Sequence, residues 1–214
     1  GHDAGHKLTI MAAIAFGIPM HFDQCYLEGI SQLAGKDIQY AEELGYRVKL
    51  LGLTRRTEQG VELRVHPTLI PEQQLIANVN GVMNAVLVRG DAIGQALFNG
   101  PGAGALPTAS AVVADIVDVA RLLTSDPEHR VPHLAFQPDQ LKDLPILPMG
   151  EVVSSYYLRI QAIDRAGVMA DITRLLAENG ISIEALIQKG SAADGSAEIV
   201  ILTHRVLEKA ANAA

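Results

Sequence analysis

The sequence predicts an α+β chain in two units. The first is a mixed-sheet α/β unit. The second runs β-α-β-β-α, one strand short of the ferredoxin-like β-α-β-β-α-β arrangement. Three observations predict this. Helical and alternating patterns are interleaved along the chain. A stretch holding Pro127, Pro132, Pro138, Pro145 and Pro148 interrupts them. After it, a strand–helix pattern restarts. The expected boundaries are 1–124 for the first unit, 125–151 for a Pro-rich linker and 152–214 for the second unit, incomplete at its C-terminal end.

Asp3 to Phe16 is almost wholly apolar after Lys7 and reads as a buried helix ended by Gly17 and Pro19. His21 to Ile30 is irregular. Asp37 is placed as the N-cap of a short amphipathic helix, Ile38 to Leu44, which Gly45 closes. A strand over Tyr46–Leu53 turns near Glu58–Gly60 into a second, Val61–Val65, with strict alternation. Pro67 and Pro71 bracket a connection, and Glu72–Val79 reads as a short helix. Strands at Asn84–Arg89 and Ile93–Phe98 flank a turn at Gly90–Asp91. The Gly-rich loop Asn99–Leu106 feeds a helix over Pro107–Leu123, with proline in the first turn, where its missing N–H costs nothing. In the second unit, a strand at Ser155–Ala162 leads through the loop Asp164–Gly167 into an amphipathic helix, Val168–Asn179, closed by Gly180. Strands at Ile181–Lys189 and Ser196–Thr203 surround a turn at Gly190–Gly195, and a helix starts near Val206.

Half of the residues are hydrophobic and few are charged, so both units can bury a core. Trp is absent, and aliphatic side chains do the packing. The formal charge of −7 argues against nucleic acid, which needs a basic face. Cys25 is the single cysteine, which excludes an internal disulfide and a Cys-based zinc site and fits a reducing, cytoplasmic setting. The apolar stretch Leu8–Met20 is broken by Thr9, Gly17 and Pro19 and is too short to span a bilayer, so no membrane partner is expected.

Asp3 and Lys7 stand four residues apart, on one face of the first helix. By spacing alone they read as an exposed ion pair. The apolar run after Lys7 argues instead for semi-buried surroundings. There, desolvation and the helix dipole lower a lysine pKa while a carboxylate raises it, which suits proton transfer. In Gly100-Pro101-Gly102-Ala103-Gly104-Ala105, the glycines formally meet a dinucleotide pattern, but the strand with an acidic end that should follow is missing. The loop reads equally as a close approach to a ligand, with Thr108 and the helix N-terminus as donors, or as a tight packing turn. Asp164–Gly167 reads first as a capped turn. His2 and His6 share helical spacing, without a third ligand, so no metal site is expected. Cys25 reads as a small buried residue, not a nucleophile.

Four ordered stretches resemble the homoserine dehydrogenase family. They are Gly1-His2-Asp3-Ala4-Gly5-His6-Lys7-Leu8-Thr9-Ile10; Glu28-Gly29-Ile30-Ser31 with the segment from Asp37 to Leu51; Asn80-Gly81-Val82-Met83-Asn84-Ala85-Val86; and the run from Gly100 to Asp115. The tail resembles an ACT domain, through Ile163-Asp164-Arg165-Ala166-Gly167-Val168-Met169-Ala170-Asp171-Ile172 and Asn179-Gly180-Ile181-Ser182-Ile183. The resemblance implies NAD- or NADP-dependent interconversion of L-homoserine and L-aspartate 4-semialdehyde, toward threonine, methionine and isoleucine. It implies that Lys7 and Asp3 bind substrate and assist proton transfer, and that Gly104 and Thr108 lie by the nicotinamide. Glu28 sits in a family motif without an assigned role. The resemblance further implies an amino-acid effector, L-threonine first, at Asp164, Gly167, Ile181 and Ile183, and a homodimer or homotetramer whose interface uses the 46–65 strand pair and the strand from Asn84. The nucleotide-binding half is expected upstream of Gly1. From another class, the same residues read as a catalytically inert amino-acid-binding and dimerising module.

Overall fold

A computed structural model describes residues 1–126, 130–190 and 195–214. It is a mixed α/β fold with several small sheets, as the sequence predicts. Helix α1 (His2–Phe16) packs on a three-stranded sheet of order β1-β3-β2, made of β1 (Tyr26–Leu27), β2 (Tyr46–Arg56) and β3 (Val61–Pro71). β1 runs parallel to β3, and β2 runs antiparallel to it. Leu8, Ala12 and Ile18 meet Val61, Leu63 and Val65 in a buried cluster. Each large aliphatic side chain removed from water there contributes about 1.5–3 kcal/mol. The approach is close: a side chain at Gly5 would strike Leu27 at 2.7 Å.

Several expectations are corrected. β1 lies inside the segment read as irregular; two residues are too few to show a period. β3 does not stop at Val65 but runs through Pro67 to Pro71. β1 covers β3 only opposite Arg64 and Val65, so beyond that point β3 is an edge, where proline is tolerated. Asp37 is not an N-cap. Helix α2 (Gly35–Glu43) begins earlier, and the Asp37 carboxylate reaches back to accept the Ala34 N–H at 3.0 Å. Only Leu75–Asn78 of the expected 72–79 helix is helical, as a 3-10 turn.

β4 (Met83–Gly90) and β5 (Gly94–Pro101) form a separate hairpin leading into α3 (Ala105–Leu123). No residue of α3 is buried; Val113 and Ile116 stand open to solvent. The described part of the Pro-rich segment has little regular structure, but residues 144–147 are tied to the first unit. Val61 donates its N–H to Pro145 O and accepts from Leu147 N–H, while Leu144 and Ile146 pack on the first core.

The second unit holds β7 (Tyr157–Ile163), α4 (Val168–Glu178), β8 (Ile183–Lys189) and β9 (Ser196–Thr203) in an antiparallel sheet of order β7-β9-β8. α4 covers one face through Met169, Ile172 and Leu176 over Ile199 and Ile201. β8 starts two residues later than expected, because Ile181 turns into the core. The helix expected from Val206 is preceded by β10 (Val206–Leu207), which pairs with β6 (Val153–Ser154); α5 is Glu208–Ala211. The expected turn at Gly190–Gly195 lies largely outside the described residues. Among the described residues no helix is long and apolar enough to cross a membrane.

Candidate functional site

The first turns of α1 bring Asp3 and Lys7 together: Lys7 Nζ donates to Asp3 Oδ2 at 2.7 Å. The Lys7 side chain is 68% exposed and that of Asp3 84%, so the semi-buried surroundings expected for Lys7 are corrected. α1 is apolar all round, but only its Gly5–Leu8–Ala12 face meets the sheet. Asp3 and Lys7 share the other stripe with Met11 and Ile14, which is open to solvent. The hydrogen bond and charge of Lys7 hold the Asp3 carboxyl below its ordinary pKa, so Asp3 is an anion at neutral pH. The pair stands in solvent.

Gly104 caps α3 at φ 124°, a conformation that favours glycine, and no side chain caps the helix start. Thr108 is exposed one turn on. These features fit a backbone that a ligand approaches closely. No hydrogen bond or ion pair among the described residues joins this turn to Asp3 or Lys7.

The remaining candidates lie in the second unit. Gly167, at φ 95°, starts α4. Asp164 donates its N–H to Gly195 O, and its carboxylate faces Gln188 Nε2 at 3.5 Å. Ile181 is buried in the α4 core and Ile183 packs against it. The chain does not bring Asp164 and Gly167 to Ile181 and Ile183. The strand register puts Ile163 opposite Ser196 at one end of the sheet and Ile183 opposite Thr203 at the other. The eleven residues of α4 separate the two ends by roughly 16 Å. Among the described residues no group of three or more His, Cys, Asp or Glu side chains could hold a metal ion. Cys25 is buried, and burial pushes its thiol up.

Sequence reasoning misses a polar junction between the units. α2 lies against the sheet face opposite α4. Arg159 Nε donates to Asp37 Oδ1 at 2.6 Å, and Tyr157 Oη donates to the same oxygen at 2.8 Å. Glu198 accepts from Lys36 at 2.9 Å and from Tyr40 at 2.5 Å. Burial alone would raise the Asp37 pKa; the donors from Arg159, Tyr157 and Ala34 outweigh it and hold the carboxyl low. The signal available in the sequence is the polar alternation Tyr157, Arg159, Gln161 on one face of a strand.

Comparison with known proteins agrees with this architecture. The family model described as homoserine dehydrogenase matches residues 1–117, and the ACT domain model matches residues 156–213. The chain is 66% identical over 209 residues to a homoserine dehydrogenase of Neisseria gonorrhoeae, covering 98% of this chain and 48% of that relative. It is 62% identical to one of Pseudomonas aeruginosa, covering 99% of this chain and 49% of that relative. A crystal structure of a homoserine dehydrogenase from Thiobacillus denitrificans superposes with a TM-score of 0.91 at 66% identity, over 99% of this chain and 48% of that one. The chain thus spans about half the length of the curated relatives it matches. On these matches the chain belongs to the homoserine dehydrogenase family and carries an ACT domain.

Proposed function

We propose that this chain is the substrate-binding and regulatory part of an NAD- or NADP-dependent homoserine dehydrogenase that interconverts L-homoserine and L-aspartate 4-semialdehyde on the route to threonine, methionine and isoleucine. The observation that carries this reading is the solvated Asp3–Lys7 pair at 2.7 Å, at the head of a helix within the family match. Lys7 takes the hydroxyl proton of homoserine during oxidation and returns it in the reverse direction. Asp3 binds and orients the substrate. The nicotinamide, when bound, accepts or gives the hydride; the exposed turn from Gly104 to Thr108 contributes backbone and hydroxyl donors beside it. The open stripe of α1 and the exposed face of α3 suit contact with the nucleotide-binding half.

Residues 1–124 form the substrate and dimerisation domain, 125–151 the linker and 152–214 the ACT domain of a homodimer or homotetramer in the cytoplasm. The ACT domain takes an amino-acid effector, L-threonine first. Because Asp164 and Gly167 stand at the other end of the sheet from Ile181 and Ile183, that site forms between two copies.

The test is Lys7→Ala in the full-length enzyme. Loss of a positioned proton-transfer group lowers kcat by roughly a hundredfold or more with the fold unchanged; turnover near wild type refutes the assignment. A second reading, an inert amino-acid-binding module, draws on the half-length coverage. It predicts no dehydrogenase activity from residues 1–214 alone.

A further inference from the structure

A cleft of about 700 Å³ lies between β3 with the turn after β1 on one side, and the chain around β6, the start of β7 and the end of β9 on the other. That volume is in the range of small-molecule sites. Its lining mixes apolar residues with several charged ones, and the proposed reaction uses none of it. Arg64 lies deep within, with only 10% of its side chain exposed. Its Nη2 pairs with Glu62 at 3.3 Å and its Nη1 lies 3.0 Å from His66 Nε2, but its Nε–H has no acceptor. A buried donor without a partner is costly, and a guanidinium fork matches a carboxylate. Arg205, exposed at the rim, is a second cation whose Nη2 reaches Val153 O at 3.4 Å. Four carboxylates line the same space: Asp37, already held by Arg159 and Tyr157, and Glu184, Glu28 and Glu208. Glu28 accepts from Tyr26 Oη at 3.1 Å, and Glu208 accepts from Tyr156 Oη. Cations and carboxylates so mixed match a ligand carrying both charges on a small frame, not a simple anion.

We infer that this cleft binds a free α-amino acid, with its carboxylate on Arg64 and Arg205 and its ammonium on Glu28 and Glu208. Glu28 and Arg64 come from the first unit; Arg205 and Glu208 come from the second. A ligand there ties the two together. The site is distinct from the Asp164–Gly167 loop. Tyr157 and Leu202, which line the cleft, pair at the end of the sheet away from that loop.

The experiment is titration calorimetry of the full-length protein with L-threonine, L-isoleucine and L-methionine at millimolar concentration. At least one is expected to bind the Gly167→Val protein, in which the loop site is disabled, and to lose affinity about tenfold or more when Arg64→Gln or Arg205→Ala is added to it. Arg205 is exposed, so its variant keeps the test valid should Arg64→Gln fail to fold. Binding by none of the three overturns the inference, as does affinity that survives Arg205→Ala and Glu28→Gln. Binding lost in Gly167→Val but kept in the cleft variants overturns the inference and leaves the loop reading of the effector site standing.

Discussion

Two carboxylate–cation pairs of nearly equal length stand in different surroundings. Lys7 reaches Asp3 at 2.7 Å, and Arg159 reaches Asp37 at 2.6 Å. The first pair is open to water on both sides, whereas the Asp37 side chain is only 10% exposed. Solvent screening makes an exposed pair nearly worthless to the fold. A mostly buried carboxylate with three donors is another matter: taking it away leaves those donors without an acceptor. Distance alone therefore does not separate a pair that holds the chain together from one free to act on a ligand. Burial and the count of donors do.

The largest effect on stability is expected from Asp37→Ala. It strands Arg159 Nε, Tyr157 Oη and the Ala34 N–H at the junction between α2 and the ACT sheet. Breaking a buried pair costs about 3–5 kcal/mol; Arg159 is 30% exposed and lies 3.8 Å from Glu198, which reduces this to about 2 kcal/mol. Calorimetry then reads a melting temperature lower by roughly 4–8 °C. A melting curve that matches wild type removes the contrast between the pairs.

Acid should weaken the same junction. Asp37 has a folded pKa below its unfolded value, so the unfolded chain takes up the proton first as pH falls. Its contribution is fully present above the unfolded pKa of about 3.9 and is lost as pH falls through the folded value. Melting temperature measured between about pH 5 and pH 3 should fall more steeply in wild type than in Asp37→Asn, which has no proton to gain there. Equal slopes would show that Asp37 is not held low by its donors.

Much of the architecture is legible from local pattern. The hairpin of β4 and β5 and the whole of α3 are recognisable from alternation and helical period, although none of α3 is buried. The element forms from its own period; burial needs a partner surface. The same gap explains the misreading of Lys7. An apolar helix implies burial on average, but which stripe meets the sheet depends on where Gly5 and Gly52 permit close approach, and that is a tertiary fact. Asp37 shows the reverse case. Its type and position suggest a cap, and the carboxylate does serve Ala34, but its partners Tyr157 and Arg159 lie more than a hundred residues away. Among the site candidates, the Asp3–Lys7 contact follows directly from i,i+4 spacing. The separation of Gly167 from Ile183 depends on the direction of α4 and is not written in spacing, whereas the Glu62–Arg64 pair follows from the i,i+2 period of one strand face.

The smallest effect on stability is expected from Asp3→Asn. Lys7 holds the Asp3 carboxyl low, and the pair stands wholly in solvent. An asparagine can still accept from Lys7 Nζ, and water replaces whatever is lost, so the melting temperature should not move. If the carboxylate instead binds and orients substrate, the full-length enzyme should lose roughly tenfold to a hundredfold in kcat/KM, as expected when one charge-assisted hydrogen bond is removed from the transition state. Stability and activity thus separate at Asp3. A variant that melts early in proportion to its lost activity would make Asp3 a second Asp37, and its proposed role with substrate would fall.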